Sequence, residues 1–253
     1  MPTIAVGDIH GNVDALTDLL DQIRSGCRPG DTVVFLGDYI DRGPHSKGCV
    51  DAILEFQNEA PAEVICLTGN HEDWMLRSMR DHGRHSWLLG MEALTTIESY
   101  SLDAALAIGE AATRAGARLY LEQCTLPYEA FFDSMPAAHV HFFESLALSY
   151  QTADCICTHG GVDPRIDRLE DQGRFDLIWG TSGFPDGYVG DDVLVYGHRN
   201  NAAVGDNGWP APRMVGRTIG IDTISHGVLT AIRLPDRHIF QSARHQASLS
   251  VRR

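Results

Sequence analysis

The sequence lacks the features of membrane, secreted and disulfide-stabilised proteins. None of its 253 residues lies in an apolar run of 18 or more, the length that a membrane-spanning helix needs. The first eleven residues, MPTIAVGDIHG, contain neither the basic segment nor the apolar run of a secretory signal. Six cysteines are too few to form a disulfide framework in a chain this long, and no two of them form a C-x-x-C pair. We therefore expect a cytoplasmic protein whose cysteines are reduced and mostly buried.

Positive charge is also scarce. The 20 Lys and Arg residues face 34 Asp and Glu residues, which leaves a formal net charge of −14. A molecule with this charge repels polyanions, so nucleic acid is not an expected partner, and without a long apolar run neither is a membrane. Any phosphate group must be bound by a local set of residues. Hydrophobic residues make up 43% of the chain, enough for the core of one large domain, and the sequence leaves the oligomeric state open.

Three strand–turn–helix units are predicted in the first 80 residues. Short apolar runs that end at a glycine predict strands over Thr3–Val6, Thr32–Leu36 and Glu63–Leu67. Apolar residues at helical spacing predict helices over Asn12–Ile23 and Ser46–Asn58, and a third helix that begins at His71. Strands that alternate with helices indicate right-handed βαβ units and a parallel sheet in this half.

The remainder of the chain divides into a helical part and a strand-rich part. The pattern from Arg80 to Tyr150 is helical, with Leu102–Leu121 as its clearest helix. Later strands are predicted over Cys155–Thr158, Val193–Tyr196, Thr218–Ile221 and Val228–Leu234. We expect a single domain over residues 1–241 with a helical insertion at about 80–150, followed by a frayed tail at 242–253.

Side chains that can bind metals follow the ends of five predicted strands. These residues are Asp8, His10, Asp38, Asn70, His159 and His198. The carboxyl ends of parallel strands lie along one edge of a sheet, so the side chains should converge on one crevice. Carboxylates, a carboxamide and imidazoles together suit Mn, Fe or Zn. Six ligands exceed what one catalytic metal needs, which indicates two metals bridged by one carboxylate.

The motifs that hold these residues resemble those of a known family. They are GDIHG at 7–11, GDYIDRG at 37–43, GNHE at 69–72, HGG at 159–161 and GH at 197–198. Their order and spacing resemble the phosphoprotein phosphatase (serine/threonine phosphatase) family of calcineurin-like metallophosphoesterases, in its bacterial type. The resemblance implies an α/β sandwich with two central mixed β-sheets flanked by helices. It also implies two divalent metal ions, with Mn²⁺ expected and Fe or Zn as alternatives, and in-line hydrolysis of phosphate monoesters by a metal-bridging hydroxide.

The resemblance also assigns a role to each matching residue. It places Asp8, His10 and Asp38 on the first metal. It places Asn70, His159 and His198 on the second metal, with Asp38 as the bridge. His71 matches the general acid and Asp41 the carboxylate that orients it, while Arg42 matches the guanidinium that clamps the phosphate. The substrate phosphate would thus contact Arg42, Asn70 and His71.

The sequence departs from the family pattern at one place. Family members commonly carry a second phosphate-binding arginine shortly after a tryptophan between the last two histidine motifs, but Trp179 is followed by Gly-Thr-Ser. Either Arg165, Arg174 or Arg199 replaces it from another loop, or phosphate binding depends on Arg42 and the metals.

We expect a phosphatase whose substrates are phosphorylated serine, threonine or tyrosine side chains of proteins, or a small phosphorylated molecule. One alternative is a symmetrical dinucleoside tetraphosphate hydrolase; the pair Asp41-Arg42 and Glu72 favour the protein phosphatases. A second alternative is an inactive metal-binding scaffold, favoured only by the missing arginine. Asp222 is interpreted as structural, and Trp74 and Trp87 as core aromatics.

Overall fold

The computed structural model describes residues 1–122, 124–200, 203–205 and 207–245. Its strands are β1 (Thr3–Val6), β2 (Thr32–Phe35), β3 (Glu63–Cys66), β4 (Ser149–Gln151), β5 (Ile156–Thr158), β6 (Leu194–Tyr196), β7 (Ala203–Val204), β8 (Pro210–Ala211), β9 (Arg213–Val215), β10 (Thr218–Gly220), β11 (Thr230–Leu234) and β12 (His238–Gln241). Its helices are α1 (Val13–Gly26), α2 (Ser46–Glu59), α3 (Asn70–Arg80), α4 (Ser86–Gly90), α5 (Ala93–Tyr100), α6 (Leu102–Ala115), α7 (Arg118–Leu121), α8 (Glu129–Phe132), α9 (Ala137–Glu144) and α10 (Arg174–Trp179).

Two five-stranded mixed sheets form the centre of the molecule, as predicted. The first has the strand order β12-β11-β1-β2-β3, and the second has the order β4-β5-β6-β10-β9. The predicted parallel unit is confirmed, because β1, β2 and β3 pair in parallel, and β11 runs antiparallel to β1. In the second sheet β5, β6 and β10 are parallel. The carboxyl ends of both parallel sets carry the loops that form the site described below.

The core is layered because side chains alternate along each strand. Ile4 and Val6 of β1 point into the cluster that α1 and α2 cover, whereas Ala5 points into the cluster between the two sheets. Val34 of β2 and Val195 of β6 meet Ala5 in that inner cluster. The period of two along a strand thus divides the apolar residues between two cores.

The predicted helix over Leu102–Leu121 is wrong in extent. Helix α6 ends at Ala115, Gly116 adopts a φ of +54°, and the short helix α7 begins at Arg118. A glycine at positive φ ends a helix readily because it has no Cβ to clash with the following carbonyl. The alanine-rich composition of this segment predicts a continuous helix and does not indicate the end at Ala115.

Of the four edge strands of the two five-stranded sheets, the sequence predicted β3 but not β4, β9 or β12. β4, β9 and β12 are short and carry partly exposed side chains, so they show no buried alternation. An edge strand is defined by its pairing with a neighbour, which a local pattern does not report.

The predicted frayed tail falls largely outside the described residues, which end at 245. At its start, Ser242 is buried and donates its backbone N–H to Leu229 O at 3.0 Å. Within the described segments, no helix has both the length and the apolar character needed to cross a membrane.

Candidate metal centre

The polar residues predicted from the strand ends do come together. Asp8 and His10 follow β1, Asp38 follows β2, and Asn70 opens α3 after β3. His159 and His198 follow β5 and β6 of the second sheet. All are buried except His198, which is half-buried. The two sheets therefore present their loops to a common buried cluster of carboxylates, one amide and imidazoles.

Backbone strain concentrates in these loops. Five of the seven non-glycine residues with positive φ in the described part of the chain belong to them, namely His10, Asp38, Asp41, Arg42 and His198. Side chains with a Cβ disfavour this conformation, and such residues cluster where a precise side-chain position is required. The strain is an indication of function that is independent of the motifs.

One group of donor atoms comprises His10, Asp38 and His71, whose ligand atoms lie within 4.8 Å of one another. His10 donates its Nδ1–H to Ile40 O at 3.0 Å, which leaves the lone pair on Nε2. His10 Nε2 is buried, has no hydrogen-bond partner among the described residues, and lies 3.5 Å from Asp38 Oδ2. A buried imidazole nitrogen in this state fits a metal ligand.

A second group comprises Asp38, His159 and His198. His159 donates Nδ1–H to Leu36 O at 2.9 Å, so that its Nε2 faces Asp38 Oδ1 at 3.4 Å. Asn70 Oδ1 joins this group, at 3.0 Å from His159 Nε2 and 2.9 Å from His198 Nδ1. The Nδ2 of Asn70 points towards the sulfur of Met91 at 3.7 Å, which orients the amide oxygen into the group.

Asp38 belongs to both groups, one oxygen to each. Its Oδ2 lies 3.5 Å from His10 Nε2, and its Oδ1 lies 3.4 Å from His159 Nε2. Gly69 makes room for this carboxylate, because a Cβ at Gly69 would overlap Asp38 Oδ1. The donor set of carboxylate, amide oxygen and imidazole suits two divalent transition metals that share Asp38.

Two predicted residues occupy different surroundings from the rest. Both oxygens of Asp8 accept the backbone N–H of His198, at 3.1 and 2.9 Å, and Asp8 belongs to neither donor group. His71, predicted as the acid, belongs to the first group through its Nε2, which lies 3.8 Å from Asp38 Oδ2. The metal-binding role of Asp8 stays a prediction.

The electrostatic surroundings shift the pKa values of these histidines in opposite directions. Burial and the neighbouring His71 lower the pKa of His10 well below its ordinary 6.5. Burial and the charge of His159 lower the pKa of His198 to about 3. Burial also opposes protonation of His71, but the carboxylates of Asp38 and Asp41 outweigh it and raise its pKa. His10 is therefore held neutral, as a ligand must be, while His71 is held ready to carry a proton.

His71 is oriented by a chain of hydrogen bonds. Its Nδ1–H donates to Asp41 Oδ2 at 2.7 Å. The same oxygen accepts the indole N–H of Trp87 at 2.8 Å, and Asp41 Oδ1 accepts the hydroxyl of Thr96 at 2.5 Å. Trp87 is fully buried, as predicted for a core aromatic. Its indole N–H also fixes the position of Asp41, which in turn orients His71. No local sequence pattern indicates this link, because Trp87 and Thr96 lie in helices α4 and α5, far from Asp41 along the chain.

Glu72 is a second residue whose role the sequence did not reveal. Its Oε2 accepts the backbone N–H groups of Asp38 and Gly69, both at 2.9 Å, and its Oε1 accepts that of Tyr39 at 2.9 Å. The side chain is fully buried, and burial raises its pKa to about 7. Glu72 therefore fixes the loop that carries the shared carboxylate.

Asp222, interpreted from the sequence as structural, lies beside the cluster. Its carboxyl is 3% exposed, and Oδ1 has no hydrogen-bond partner within the described residues. Burial raises the pKa of Asp222 to about 6, and burial together with the charge of Asp222 raises the pKa of Asp8 well above its ordinary range. The adjacent pair Asp222-Thr223 was the one feature of the sequence that drew attention to Asp222.

Of the predicted phosphate-binding residues, Arg42 lies at the mouth of the cluster. It is exposed, and its Nη2 lies 3.4 Å from His71 Nε2. The guanidinium thus stands beside the atom predicted to donate the proton. Asn70 and His71, the other two, are buried in the donor groups.

Comparison with known proteins identifies the family. The chain belongs to the calcineurin-like phosphoesterases, whose family pattern matches residues 1–227. It is 26% identical over 262 residues to an asymmetrical bis(5′-nucleosyl)-tetraphosphatase of Halalkalibacterium halodurans, and this match covers 91% of the chain and 89% of the relative. It is 41% identical over 172 residues to a candidate serine/threonine-protein phosphatase of Schizosaccharomyces pombe. This second match covers 67% of the chain but only 42% of the relative's length.

A solved structure shares the fold. The crystal structure of a candidate diadenosine tetraphosphatase superimposes with a TM-score of 0.58, over 97% of this chain and 94% of that one, at 18% identity. The calcineurin-like family and the fold are therefore those expected from the motifs. The relatives carry both protein-phosphatase and dinucleotide-hydrolase names, so the phosphoprotein phosphatase subfamily stays a prediction.

Proposed function

We propose that this phosphoesterase hydrolyses phosphate monoesters, and that its substrates are phosphorylated serine, threonine or tyrosine side chains of proteins. In this proposal His10, Asp38 and Asp8 hold a first divalent metal, and Asp38, Asn70, His159 and His198 hold a second. Mn²⁺ is the expected ion at both positions. The chemistry that such a pair supplies when bound is polarisation of the phosphoryl oxygens and activation of the attacking water. The cytoplasmic location belongs to the same proposal.

The observation that carries the proposal is the hydrogen bond of 2.7 Å between His71 and Asp41. A serine or threonine alkoxide is a strongly basic leaving group, so its departure requires a proton donor. A nucleotide phosphate leaves readily without one. A buried imidazole that keeps its proton beside a fixed carboxylate therefore favours monoesters of alcohols over phosphoanhydrides.

The other site residues have complementary tasks. Arg42 binds the phosphoryl oxygens through its planar fork next to His71 Nε2. Asn70 and His71 complete the phosphate contacts. Asp41, held by Trp87 and Thr96, accepts the Nδ1–H of His71 and stabilises its imidazolium form, in which Nε2 carries the proton that is transferred.

Dinucleoside tetraphosphate hydrolysis is the second candidate. It is favoured by the relative from H. halodurans, which matches almost the whole chain. The fold and the donor groups suit either substrate, so the leaving group decides between them.

The test is hydrolysis of three substrates by the Mn²⁺-loaded protein, namely an aryl phosphate, a set of phosphopeptides and diadenosine tetraphosphate. Asp38→Asn should abolish turnover of all three. His71→Asn should lower phosphoserine turnover roughly 10²- to 10⁴-fold and affect the aryl phosphate, a good leaving group, much less.

The outcomes separate the candidates. Preferred turnover of phosphopeptides supports the proposal, and preferred turnover of the dinucleotide replaces it with the second candidate. If the protein binds two metals but hydrolyses none of these substrates, the remaining interpretation is an inactive metal-binding scaffold.

A further inference from the structure

Arg199 occupies a distinctive position beside the second donor group. It directly follows His198 in the chain and is half-buried. Its Nη2 donates a hydrogen bond to the carbonyl oxygen of Thr181 at 3.1 Å. Thr181 lies just beyond Trp179, whose ring meets that of His198 edge-on at 5.7 Å between centroids. The guanidinium is therefore anchored in the loop that follows α10, next to a residue of the donor cluster.

The backbone around Arg199 is shaped to receive this side chain. Gly180 has a φ of +70°, and a Cβ at this position would lie 2.7 Å from Arg199 Nη2. The same Cβ would overlap the carbonyl oxygen of Gly160, which follows His159. The guanidinium thus packs between the loops that carry His159 and His198, and a side chain at position 180 would displace it.

The other two arginines considered from the sequence have different environments. Arg165 binds Asp163 through Nε at 2.9 Å and Nη2 at 2.6 Å, and its side chain is 85% exposed. Arg174 binds Asp73 Oδ1 through Nε at 3.1 Å and Nη2 at 2.8 Å. Each of these guanidiniums is directed to a carboxylate that belongs to neither donor group.

A guanidinium lies beside each of the two donor groups. Arg42 stands beside the first donor group, at His71, and Arg199 beside the second, at His198. Two guanidiniums therefore border the two donor groups. A phosphoryl group in transfer carries its negative charge over three equatorial oxygens, so it gains from positive groups on more than one side.

We propose that Arg199 is a second phosphate-binding arginine, which contacts the phosphoryl oxygens of substrate and product from the His198 side. The proposal rests on the proposed hydrolysis of phosphate esters. It makes the loop after α10 and the residue after His198 part of the substrate site, and it gives Gly180 the task of leaving space for the guanidinium.

The test measures binding of inorganic phosphate to the Mn²⁺-loaded full chain by calorimetry, together with kcat and KM for an aryl phosphate. Arg199→Gln should weaken phosphate binding roughly 10- to 100-fold, the range for loss of a charge-assisted hydrogen bond. Arg199→Lys, which keeps the charge but not the planar fork, should recover part of that loss. Arg168→Gln removes an exposed arginine that pairs with Glu170 and is the matched control. It should bind phosphate like the unaltered protein.

The readouts distinguish phosphate binding from a structural role. Unchanged phosphate affinity in Arg199→Gln, with metal content equal to that of the unaltered protein, would overturn the proposal. Should Arg199→Gln fail to fold, Arg199→Met, which also removes the charge and every hydrogen-bond donor of the side chain, decides, and full phosphate affinity in that variant would overturn the proposal equally. An unaltered protein that binds phosphate but hydrolyses no ester would refute the proposed function, while the comparison of variants would still test Arg199.

Discussion

At the scale of single residues, the site depends on two imidazoles that lie side by side in different states. The rings of His10 and His71 are 4.7 Å apart between centroids. His10 donates to a carbonyl, whereas His71 donates to the carboxylate of Asp41. Burial favours the neutral form of both, but only His71 has carboxylates that outweigh it. These different surroundings fit the roles proposed for the two residues, His10 as a metal ligand and His71 as the proton donor.

Glu72→Gln is the sharpest residue-scale test of how the shared carboxylate is positioned. The variant keeps the size of the side chain, but one carboxylate oxygen becomes an NH₂ group, which in either orientation of the amide opposes a backbone N–H donor of the loop. We expect Mn²⁺ affinity to fall about 10- to 100-fold, as is typical when a partner of a metal ligand is removed. Metal titration of the apoprotein measures this change. Glu110→Gln, an exposed change in α6, is the control, and equal affinities in both variants would contradict the prediction.

At the scale of elements, the helices between β3 and β4 hold the acid–base pair in place. Helix α4 contributes Trp87 and α5 contributes Thr96, and both donate to Asp41. Asp41 itself lies in the loop between β2 and α2. Helices α4 and α5 therefore support His71 through Asp41.

Trp87→Phe tests this support. The variant keeps an aromatic ring in the buried position but loses the N–H donor to Asp41 Oδ2. We expect kcat for a phosphoserine peptide to fall on the order of 10-fold with little change in KM, because ground-state binding does not use this bond. The change for an aryl phosphate should be smaller. Trp209→Phe, which removes an equivalent bond to Gln241, is the matched control. An equal fall in both variants would point to a general loss of stability.

Helix α9 is attached to the rest of the molecule by a buried histidine. His139 Nε2 lies 3.0 Å from Asp51 Oδ1 of α2, and its Nδ1 lies 2.8 Å from the hydroxyl of Tyr100 at the end of α5. Burial lowers the pKa of His139 below its ordinary 6.5, with Asp51 opposing and Lys47 adding to the effect. This contact predicts a pH dependence of stability.

The sign follows from proton binding. The folded protein keeps His139 neutral at pH values where the unfolded chain protonates it, so the unfolded state binds more protons as the pH falls through 6.5. The free energy of unfolding should therefore decrease as the pH falls below 6.5 and level off above it. Urea unfolding of the protein and of His139→Gln at pH 5 to 8 checks this. The variant should show a smaller decrease at low pH, and parallel curves would refute the role of His139.

At the scale of the whole molecule, the net charge of −14 selects among substrates before they reach the site. The cluster must attract a phosphate that the remainder of the surface repels. Arg42 at the mouth supplies a local positive charge, but its range is limited by screening to about 10 Å at 0.1 M salt. Substrates whose flanking residues are basic should therefore be favoured at low ionic strength.

Salt provides the test of this selection. Between 10 and 150 mM NaCl, we expect kcat/KM for a phosphopeptide with acidic flanks to rise about 3- to 10-fold, since screening weakens the repulsion. The same phosphoserine between basic flanks should show a fall. A peptide of zero flanking charge controls for effects of salt on the enzyme itself. The same salt response for both charged peptides would show that the net charge does not influence association.

The sequence by itself predicted the parallel strands of the first half and the polar side chains that gather at their ends. The carboxyl ends of neighbouring parallel strands lie along one edge of a sheet, so the residues that follow β1, β2 and β3, namely Asp8, Asp38 and Asn70, are expected to lie close together. The apolar runs of β1 and β2 likewise predicted buried strands, whose side chains divide between the two cores. These features depend on residues that are close together in the sequence, so the motifs and their spacing are enough to predict them.

The tertiary structure decided what holds and completes the site. Glu72 reaches back 34 residues to Asp38, Trp87 reaches 46 residues to Asp41, and Arg199 reaches 18 residues to Thr181. Such contacts depend on how separate elements pack, and each residue alone resembles an ordinary acid, core aromatic or surface arginine. The ligands are encoded next to their strands, whereas the partners that orient them arise only from packing between distant segments, and a local pattern carries no information about that packing.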